Sequence, residues 1–170
     1  MKMKLHIPEL SEYYFEQQIL SDPETMNYNA GYDVSYYGYN YETGCIDFPK
    51  DRWESQYNKR KNENKFFAYI QVDDDFVGTV NYHYVESEKR YECGIVIYSK
   101  YRGKGYSEQG LQLLCDEARK NGVKELYDNF EEPRTSAIKS FEKVGFEIVE
   151  KTTWKKFNED VNGVVVRIVL

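Results

Sequence analysis

The sequence predicts a single mixed α/β domain, in which one twisted, mostly antiparallel sheet of six to seven strands is flanked by about four helices. The length of 170 residues suits one domain with a buried core. A β-branched run at 95–97 leads into a glycine-containing loop and then an amphipathic helix, which is typical of an α/β unit. Short turn sequences separate further apolar segments and indicate hairpins. We therefore expect one domain over residues 1–170.

The first half of the chain is predicted to combine short strands with two helices. Pro8 suits a helix start because the N–H that proline lacks has no partner there. The acidic turn Asp73-Asp74-Asp75 separates two apolar segments and predicts a hairpin. The predicted elements are strands at 2–7, 65–72 and 76–85, with helices at 9–20 and from 49 or 50 to 62.

The second half of the chain carries the clearer helical signals. After the loop, apolar residues recur at helical spacing at positions 111, 114, 115 and 118. Gly145 suits a left-handed cap at the end of a second helix. The dipeptide Asn162-Gly163 favours a tight turn between the last two strands. The predicted elements are strands at 90–98, 124–130, 147–157 and 164–170, one helix after the loop, and another over 137–144.

The loop between residues 102 and 107 has the composition of an anion site. Its glycines would let phosphates approach the backbone, and the helix that follows offers unpaired N–H groups and a partial positive charge. A dinucleotide fingerprint would need a third glycine where Glu108 stands, and the P-loop spacing is absent. The sequence therefore predicts a phosphate-bearing ligand of another kind.

Two motifs resemble the signatures of the GCN5-related N-acetyltransferase (GNAT) family. The first is Arg-x-x-Gly-x-Gly/Ala, matched from Arg102 to Ser107, where serine replaces the last Gly or Ala and is a good N-cap. The second is a helix ending Tyr-x-Lys-x-Gly-Phe, matched at 141–146 with Phe141 in the tyrosine position. The resemblance covers about residues 65–157. It implies the family's fold and acetyl-CoA as co-substrate.

The resemblance also implies a coenzyme site. The loop would hold the pyrophosphate, and the backbone of the preceding strand would contact the pantetheine arm and the thioester carbonyl. Arg134 stands where the family pattern often has Asn. The implied coenzyme-binding residues are Ile95, Ile97, Arg102, Gly103, Lys104, Gly105, Tyr106, Ser107, Arg134 and Phe141.

Proton transfer needs further residues. An alkyl ammonium has a pKa of about 10.4, so it must lose a proton before it can attack a thioester. Glu92 resembles the base glutamate of some family members and points away from Cys93 by strand alternation; the alternative is a solvent-facing strand residue. Phe141 cannot donate a proton to the leaving sulfur. The thiolate would leave unaided, or water or another hydroxyl would protonate it.

The segment from residue 22 to residue 48, termed the tyrosine-rich segment, is predicted to cover the acceptor site. Aromatic rings with carboxylates suit a cationic amine through cation–π and ionic contacts. Packing against the sheet or a homodimer contact is the alternative, because tyrosine is common at interfaces. The candidate acceptor residues are Tyr28, Tyr32, Asp33 and Tyr36.

Composition excludes several other classes of function. The net charge of −6 argues against nucleic acid as a partner. No apolar run is long enough for a membrane span or signal peptide, so we expect a cytoplasmic protein. Three cysteines without a Cys-x-x-Cys pair indicate reduced core thiols. Two separated histidines give no metal-ligand spacing, so no metal site is predicted.

These observations predict an acetyl-CoA-dependent N-acetyltransferase. It would act on a primary amine, a small cationic one, by direct transfer in a ternary complex. Two alternatives stay open. One is a non-catalytic acyl-CoA-binding module, suggested by Phe141 and Ser107, and the other is an acetyltransferase of protein lysines or N-termini.

Overall fold

A seven-stranded sheet runs through the protein, and the computed structural model describes all residues from Met1 to Leu170. The order across the sheet is β1-β2-β3-β4-β5-β7-β6, and every neighbouring pair is antiparallel except β4 and β5. The strands are β1 (Met3–His6), β2 (Lys65–Val72), β3 (Asp75–Val85), β4 (Arg90–Ile97), β5 (Glu125–Glu131), β6 (Glu147–Lys156) and β7 (Glu159–Val169). The predicted mixed α/β fold is confirmed.

Helices cover both faces of the sheet. They are α1 (Tyr14–Leu20), α2 (Pro23–Met26), α3 (Trp53–Lys59), α4 (Tyr106–Lys120) and α5 (Thr135–Val144). The predicted helices at 9–20 and near 50–62 each begin as a short 3₁₀ turn, at Leu10–Glu12 and Lys50–Arg52. None of the helices is long and apolar enough to cross a membrane.

Strand alternation divides the core between the two faces. In β2, Ala68 and Ile70 face α4 and α5, whereas Tyr69 packs with Phe15 under α1. The predicted apolar face of α4 is confirmed, since Leu111, Leu114, Cys115 and Ala118 are all fully buried. The cysteines Cys93 and Cys115 are free and lie in this core.

The predicted turn at Asn162-Gly163 is wrong. The turn between β6 and β7 is Phe157-Asn158, and both residues have positive φ values, 51° and 61°, as a type I′ turn requires. Gly163 lies inside β7 instead, where a Cβ would be 2.0 Å from the Trp154 ring. The glycine therefore accommodates a cross-strand tryptophan rather than a turn.

The parallel strands β4 and β5 separate soon after they meet. Glu92 and Tyr127 are the one pair of residues in register between them. From Cys93 to Ile97, the residues of β4 are paired only with β3 on the opposite edge. One edge of β4 therefore leaves backbone N–H and C=O groups without a strand partner.

Candidate active site

A cavity of about 270 Å³, termed the strand cleft, lies where β4 and β5 separate. One wall is the unpaired edge of β4, and the other comes from β5 and the start of α5. Its lining residues are Tyr28, Asn29, Tyr32, Asn81, Gly94, Ile95, Val96, Asp128, Asn129, Phe130, Glu131, Arg134 and Trp154. The free backbone groups of β4 make this cleft suited to an extended ligand that carries amides.

The loop after β4 forms an open cradle before α4. Gly103 and Gly105 have φ values of 79° and 76°, a region that favours glycine. A Cβ built on either would meet nothing within 4 Å, so the space above the backbone is free. Gly105 is the N-cap of α4, which corrects the expectation that Ser107 would cap it. The first turn of α4 leaves N–H groups free toward this cradle, which fits a pyrophosphate.

The cradle is fastened to α2 by side-chain hydrogen bonds. The guanidinium of Arg102 donates to the carbonyls of Glu24 and Thr25, at 3.1 and 3.0 Å. Ser99 donates its hydroxyl to Asp22 at 2.7 Å, and Thr25 also donates to that carboxylate. The Arg102 side chain was expected to bind coenzyme. In the structure its hydrogen bonds instead hold the loop against α2.

A second cavity, of about 440 Å³ and termed the wide cavity, lies on the face of the sheet covered by α1 and α2. It shares Tyr28, Asn29, Asn81 and Val96 with the strand cleft, so the two cavities adjoin. Its other lining residues are Glu16, Ile19, Leu20, Met26, Tyr36, Ile46, Gln56, Arg60, Lys65, Phe66, Phe67, Thr79, Tyr82 and His83. The wall combines aromatic and aliphatic side chains with the charged groups of Glu16, Arg60 and Lys65.

The tyrosine-rich segment is ordered by its own hydrogen bonds. Tyr39 donates its hydroxyl to the carbonyl of Asn29 at 2.6 Å, and the Asn29 amide donates to Gly44 O at 3.0 Å. Of the four predicted acceptor residues, Tyr28, Tyr32 and Tyr36 line a cavity. Asp33 is exposed and lines neither cavity, so the structure gives no support to its predicted role.

The β6–β7 turn holds the tyrosine-rich segment in place. The N–H of Phe157 donates to the carbonyl of Gly31 at 2.7 Å. Gly31 has a φ of 83°, and a Cβ there would lie 2.5 Å from the Phe157 ring. Tyr41 packs edge-on against the same ring, at 5.3 Å between centroids.

The carboxylates beside the tyrosines are already paired. Glu131 receives a hydrogen bond from Lys156 at 2.7 Å and another from the Tyr32 hydroxyl. Burial alone would raise the pKa of Glu131, but these two partners hold it below its ordinary value. Glu16 is bound by Arg60, with N–O distances of 2.6 and 2.7 Å. Neither carboxylate is free to pair with a ligand cation.

Two predicted residues lie away from the reacting region. Arg90 donates twice to the Glu92 carboxylate, at 2.8 and 3.0 Å, and Glu92 lines neither cavity. Phe141 is 1% exposed and packs edge-on between Phe130 and Phe146. The structure therefore supports neither Glu92 as a base nor a contact between Phe141 and the coenzyme sulfur.

The remaining predicted coenzyme residues lie along the strand cleft, the free edge of β4 and the start of α4. Ile95 and Arg134 line the strand cleft, and the Arg134 guanidinium stands over the Tyr28 ring at 4.9 Å. Ile97 belongs to the unpaired stretch of β4, although its side chain is in the core. Lys104 and Tyr106 flank Gly105 at the start of α4.

Sequence reasoning missed two side chains of the site. Asp128 lies in the strand cleft, although its place in a predicted strand with Leu126 and Phe130 favoured an apolar inward residue. Burial raises the pKa of the Asp128 carboxyl to about 8. Asn81 lies at the junction of the cavities and makes no side-chain hydrogen bond. The one available signal for Asp128 was a charged residue between Leu126 and Phe130 on one side of its strand.

Comparison with known proteins assigns the family. The model of the acetyltransferase (GNAT) family matches residues 14–146. The comparison with curated proteins finds no significant match.

Solved structures show the same fold at low sequence identity. The yncA protein of Salmonella typhimurium, solved with its cofactor acetyl-CoA, is 16% identical, with a TM-score of 0.78 over 100% of this chain and 95% of that one. The spermidine N-acetyltransferase of Vibrio cholerae, in complex with CoA and spermine, is 16% identical, with a TM-score of 0.77 over 98% and 95%. The ribosomal-protein-alanine N-acetyltransferase of Brucella melitensis is 15% identical, with a TM-score of 0.78 and complete coverage of both chains. With the family match over most of its length and this shared fold, the chain belongs to the GNAT acetyltransferase family.

Proposed function

We propose that this protein transfers the acetyl group of acetyl-CoA to a small primary amine, by direct transfer in a ternary complex. The observation that carries the proposal is the junction of the two cavities at Asn81 and Val96. One cavity follows the free edge of β4 toward the phosphate cradle, and the other is walled by aromatic rings. An acyl donor and an amine would therefore meet on the surface of the sheet.

The donor side fits coenzyme A through the backbone. The cradle at Gly103 and Gly105 has room for a pyrophosphate, and the N–H groups of α4 point toward it. The free groups of β4 between residues 93 and 97 would pair with the amides of the pantetheine arm. Acetyl-CoA supplies the acetyl thioester when bound. A β4 N–H beside the thioester carbonyl would stabilise the developing negative charge on its oxygen.

The acceptor side fits a small amine with an apolar body. The ring of Tyr36 offers a cation–π contact to an ammonium group, Tyr28 adds an aromatic wall whose ring Arg134 already contacts, and Asn81 offers a free amide. Because Glu16 is the one carboxylate that lines the wide cavity and it is paired with Arg60, that cavity has no free carboxylate for a second ammonium. This favours a monoamine over a long polyamine.

A panel of amines tests the proposal through thiol release from acetyl-CoA. It should contain alkyl and aralkyl monoamines, polyamines, and peptides with a free N-terminus or a lysine. We expect the highest kcat/KM with small monoamines. Binding of acetyl-CoA without turnover on any amine would identify a non-catalytic binding module. A preference for peptides would identify a protein-modifying enzyme.

A matched pair of tyrosine variants tests the acceptor side. Tyr36 lines the wide cavity, whereas its neighbour Tyr37 lines neither cavity and stacks on Arg52 at 3.5 Å. Loss of about 1 kcal/mol of cation–π attraction should raise the amine KM of Tyr36→Ala by about fivefold. The Kd for acetyl-CoA should not change. Tyr37→Ala should leave both constants unchanged, and equal effects of the two substitutions would contradict the assignment of the cavity.

A further inference from the structure

The strand cleft holds one carboxyl group that no cation neutralises. Asp128 makes no ion pair, and its one hydrogen bond is accepted from the backbone N–H of Asn129, at 2.8 Å. The other carboxylate of the cleft, Glu131, is bound by Lys156. Asp128 is therefore the cleft's only carboxyl with capacity to bond a ligand.

Asp128 lies at the apex of the separation between the strands. Glu92 and Tyr127 are the paired residues, and Asp128 is the next residue along β5. The phosphate cradle follows the other end of β4. At about 3.3 Å per residue, the strand runs about 10 Å from Gly94 to its last residue, Ile97. A ligand anchored by its phosphates at the cradle and extended back along β4 would bring its far end toward Asp128. In an acyl-CoA, that end is the thioester.

The surroundings of Asp128 favour the neutral acid. Burial has the largest effect and raises its pKa to about 8, and the negative charge of Glu92 on β4 acts in the same direction. The Asn129 N–H and Arg134, at the start of α5, oppose this rise. The Tyr28 hydroxyl and the Cys93 thiol, which also face this carboxyl, have raised pKa values and stay neutral. At neutral pH, Asp128 is thus a proton donor.

We propose that Asp128 is the catalytic acid that protonates the departing sulfur of coenzyme A, an inference that rests on the proposed acetyl transfer. Phe141, which stands at the family's tyrosine position, cannot fill this role because it is apolar and lies in the core. The carboxyl of Asp128 is in the cleft on the path of the donor.

The proton and electron balance of the step is as follows. The acceptor loses one ammonium proton to water, and its nitrogen forms a bond to the acetyl carbon. The carbon–sulfur bond breaks, its electron pair goes to sulfur, and the Asp128 proton goes to the same sulfur. The proton that nitrogen loses as it becomes an amide returns through water to the Asp128 carboxylate.

Kinetics of Asp128→Asn provide the first test. The amide keeps the size of the side chain but cannot transfer a proton, so kcat should fall by about 10²-fold or more. The Kd for acetyl-CoA should stay within about twofold. The wild-type kcat should fall as pH rises through about 8, and the variant should lose this limb. Asp74→Asn, in the exposed turn between β2 and β3, is the control and should behave as wild type.

Carboxyl ¹³C NMR provides a readout that needs no turnover. One aspartate resonance, absent from Asp128→Asn, should titrate near pH 8 in the wild type. A non-reactive thioether analogue of acetyl-CoA should shift that resonance on binding. An unmoved resonance with the analogue bound, or wild-type kcat in Asp128→Asn, would overturn the role of Asp128 and leave acetyl transfer standing. Failure of the analogue to bind would contradict the proposed function and this role together.

Discussion

Arg60 and Glu16, 44 residues apart in the sequence, form a two-bond ion pair in the wall of the wide cavity. The Arg60 guanidinium also stacks 3.5 Å from the centroid of the Phe67 ring. Arg60 directly follows α3 and Glu16 belongs to α1, so the pair joins two helices beside the cavity.

Removing one partner of this pair should destabilise the fold. Arg60→Met would leave the buried Glu16 carboxylate without a partner, at a cost of about 3–5 kcal/mol. Urea unfolding at pH 7 measures this change. The double variant Glu16→Gln/Arg60→Met should regain much of the loss. The exposed pair Lys155–Asp160 is the comparison, and Lys155→Met should cost at most about 1 kcal/mol. Equal costs for the two single variants would contradict the importance of burial here.

Coenzyme binding should depend on Gly105. A matched glycine elsewhere on α4 separates this effect from backbone strain. Gly105 and Gly122 lie at opposite ends of α4, with φ values of 76° and 82° and open space where a Cβ would be. Valine should therefore strain both positions alike. Only Gly105→Val places methyl groups in the cradle, where they would prevent a charged hydrogen bond from the backbone to a phosphate. Loss of that bond, about 1.5–3 kcal/mol, should raise the Kd for acetyl-CoA by about 10–100-fold. Calorimetry on both variants checks this, and equal affinities would refute the cradle.

A hydroxyl added at Phe141 should be buried without a partner. The ring is 1% exposed, with Phe130 and Phe146 at centroid distances of 4.7 and 4.8 Å. Phe141→Tyr should cost about 1–3 kcal/mol of stability and leave the Kd for acetyl-CoA unchanged. Phe157→Tyr, on a ring that is 45% exposed, should be nearly neutral. Wild-type melting together with higher turnover in Phe141→Tyr would show that the hydroxyl reaches the cleft.

The fastening of the cradle to α2 should weaken in acid. Hydrogen bonds from Thr25 and Ser99 hold the pKa of Asp22 below its ordinary value. A lowered folded-state pKa stabilises the protein above the unfolded value of about 3.9, and this contribution is lost as pH falls through the folded value. Asp22→Ala, which removes the N-cap of α2, should cost about 1 kcal/mol at pH 7. That difference should shrink below about pH 4 in urea unfolding, and a constant difference would contradict the assignment.

Local sequence patterns predicted the elements that build the donor side. The apolar spacing of α4, the glycines before it and the Gly145 cap of α5 depend on neighbours within one or two turns, and these elements appear as expected. The prediction of a turn at Asn162-Gly163 was wrong because the glycine has another purpose: it leaves room for the Trp154 ring on the adjacent strand. A contact of this kind depends on which residues pair across two strands, and the local sequence does not reveal that pairing.

The carboxyl groups near the candidate site were its least predictable part. Strand alternation gave the side on which Glu92 points, but not the two hydrogen bonds from Arg90. By strand alternation, Asp128 points to the same face of the sheet as Leu126. A cavity exists there because β4 and β5 separate. Whether a carboxyl at this position is buried in the core or reaches a ligand depends on the gap between the strands. The spacing of residues in the sequence does not predict that gap.

The contact between Phe157 and Gly31 lets the β6–β7 hairpin control the position of the tyrosine-rich segment. The hairpin tip lies more than a hundred positions along the chain from the segment it holds, yet its N–H and ring fix where that segment crosses the cavity. A two-residue insertion at the tip would release the segment without altering a single lining residue. The shape of the wide cavity can therefore be changed from a surface loop, whereas tags or grafted peptides should be placed elsewhere on this protein.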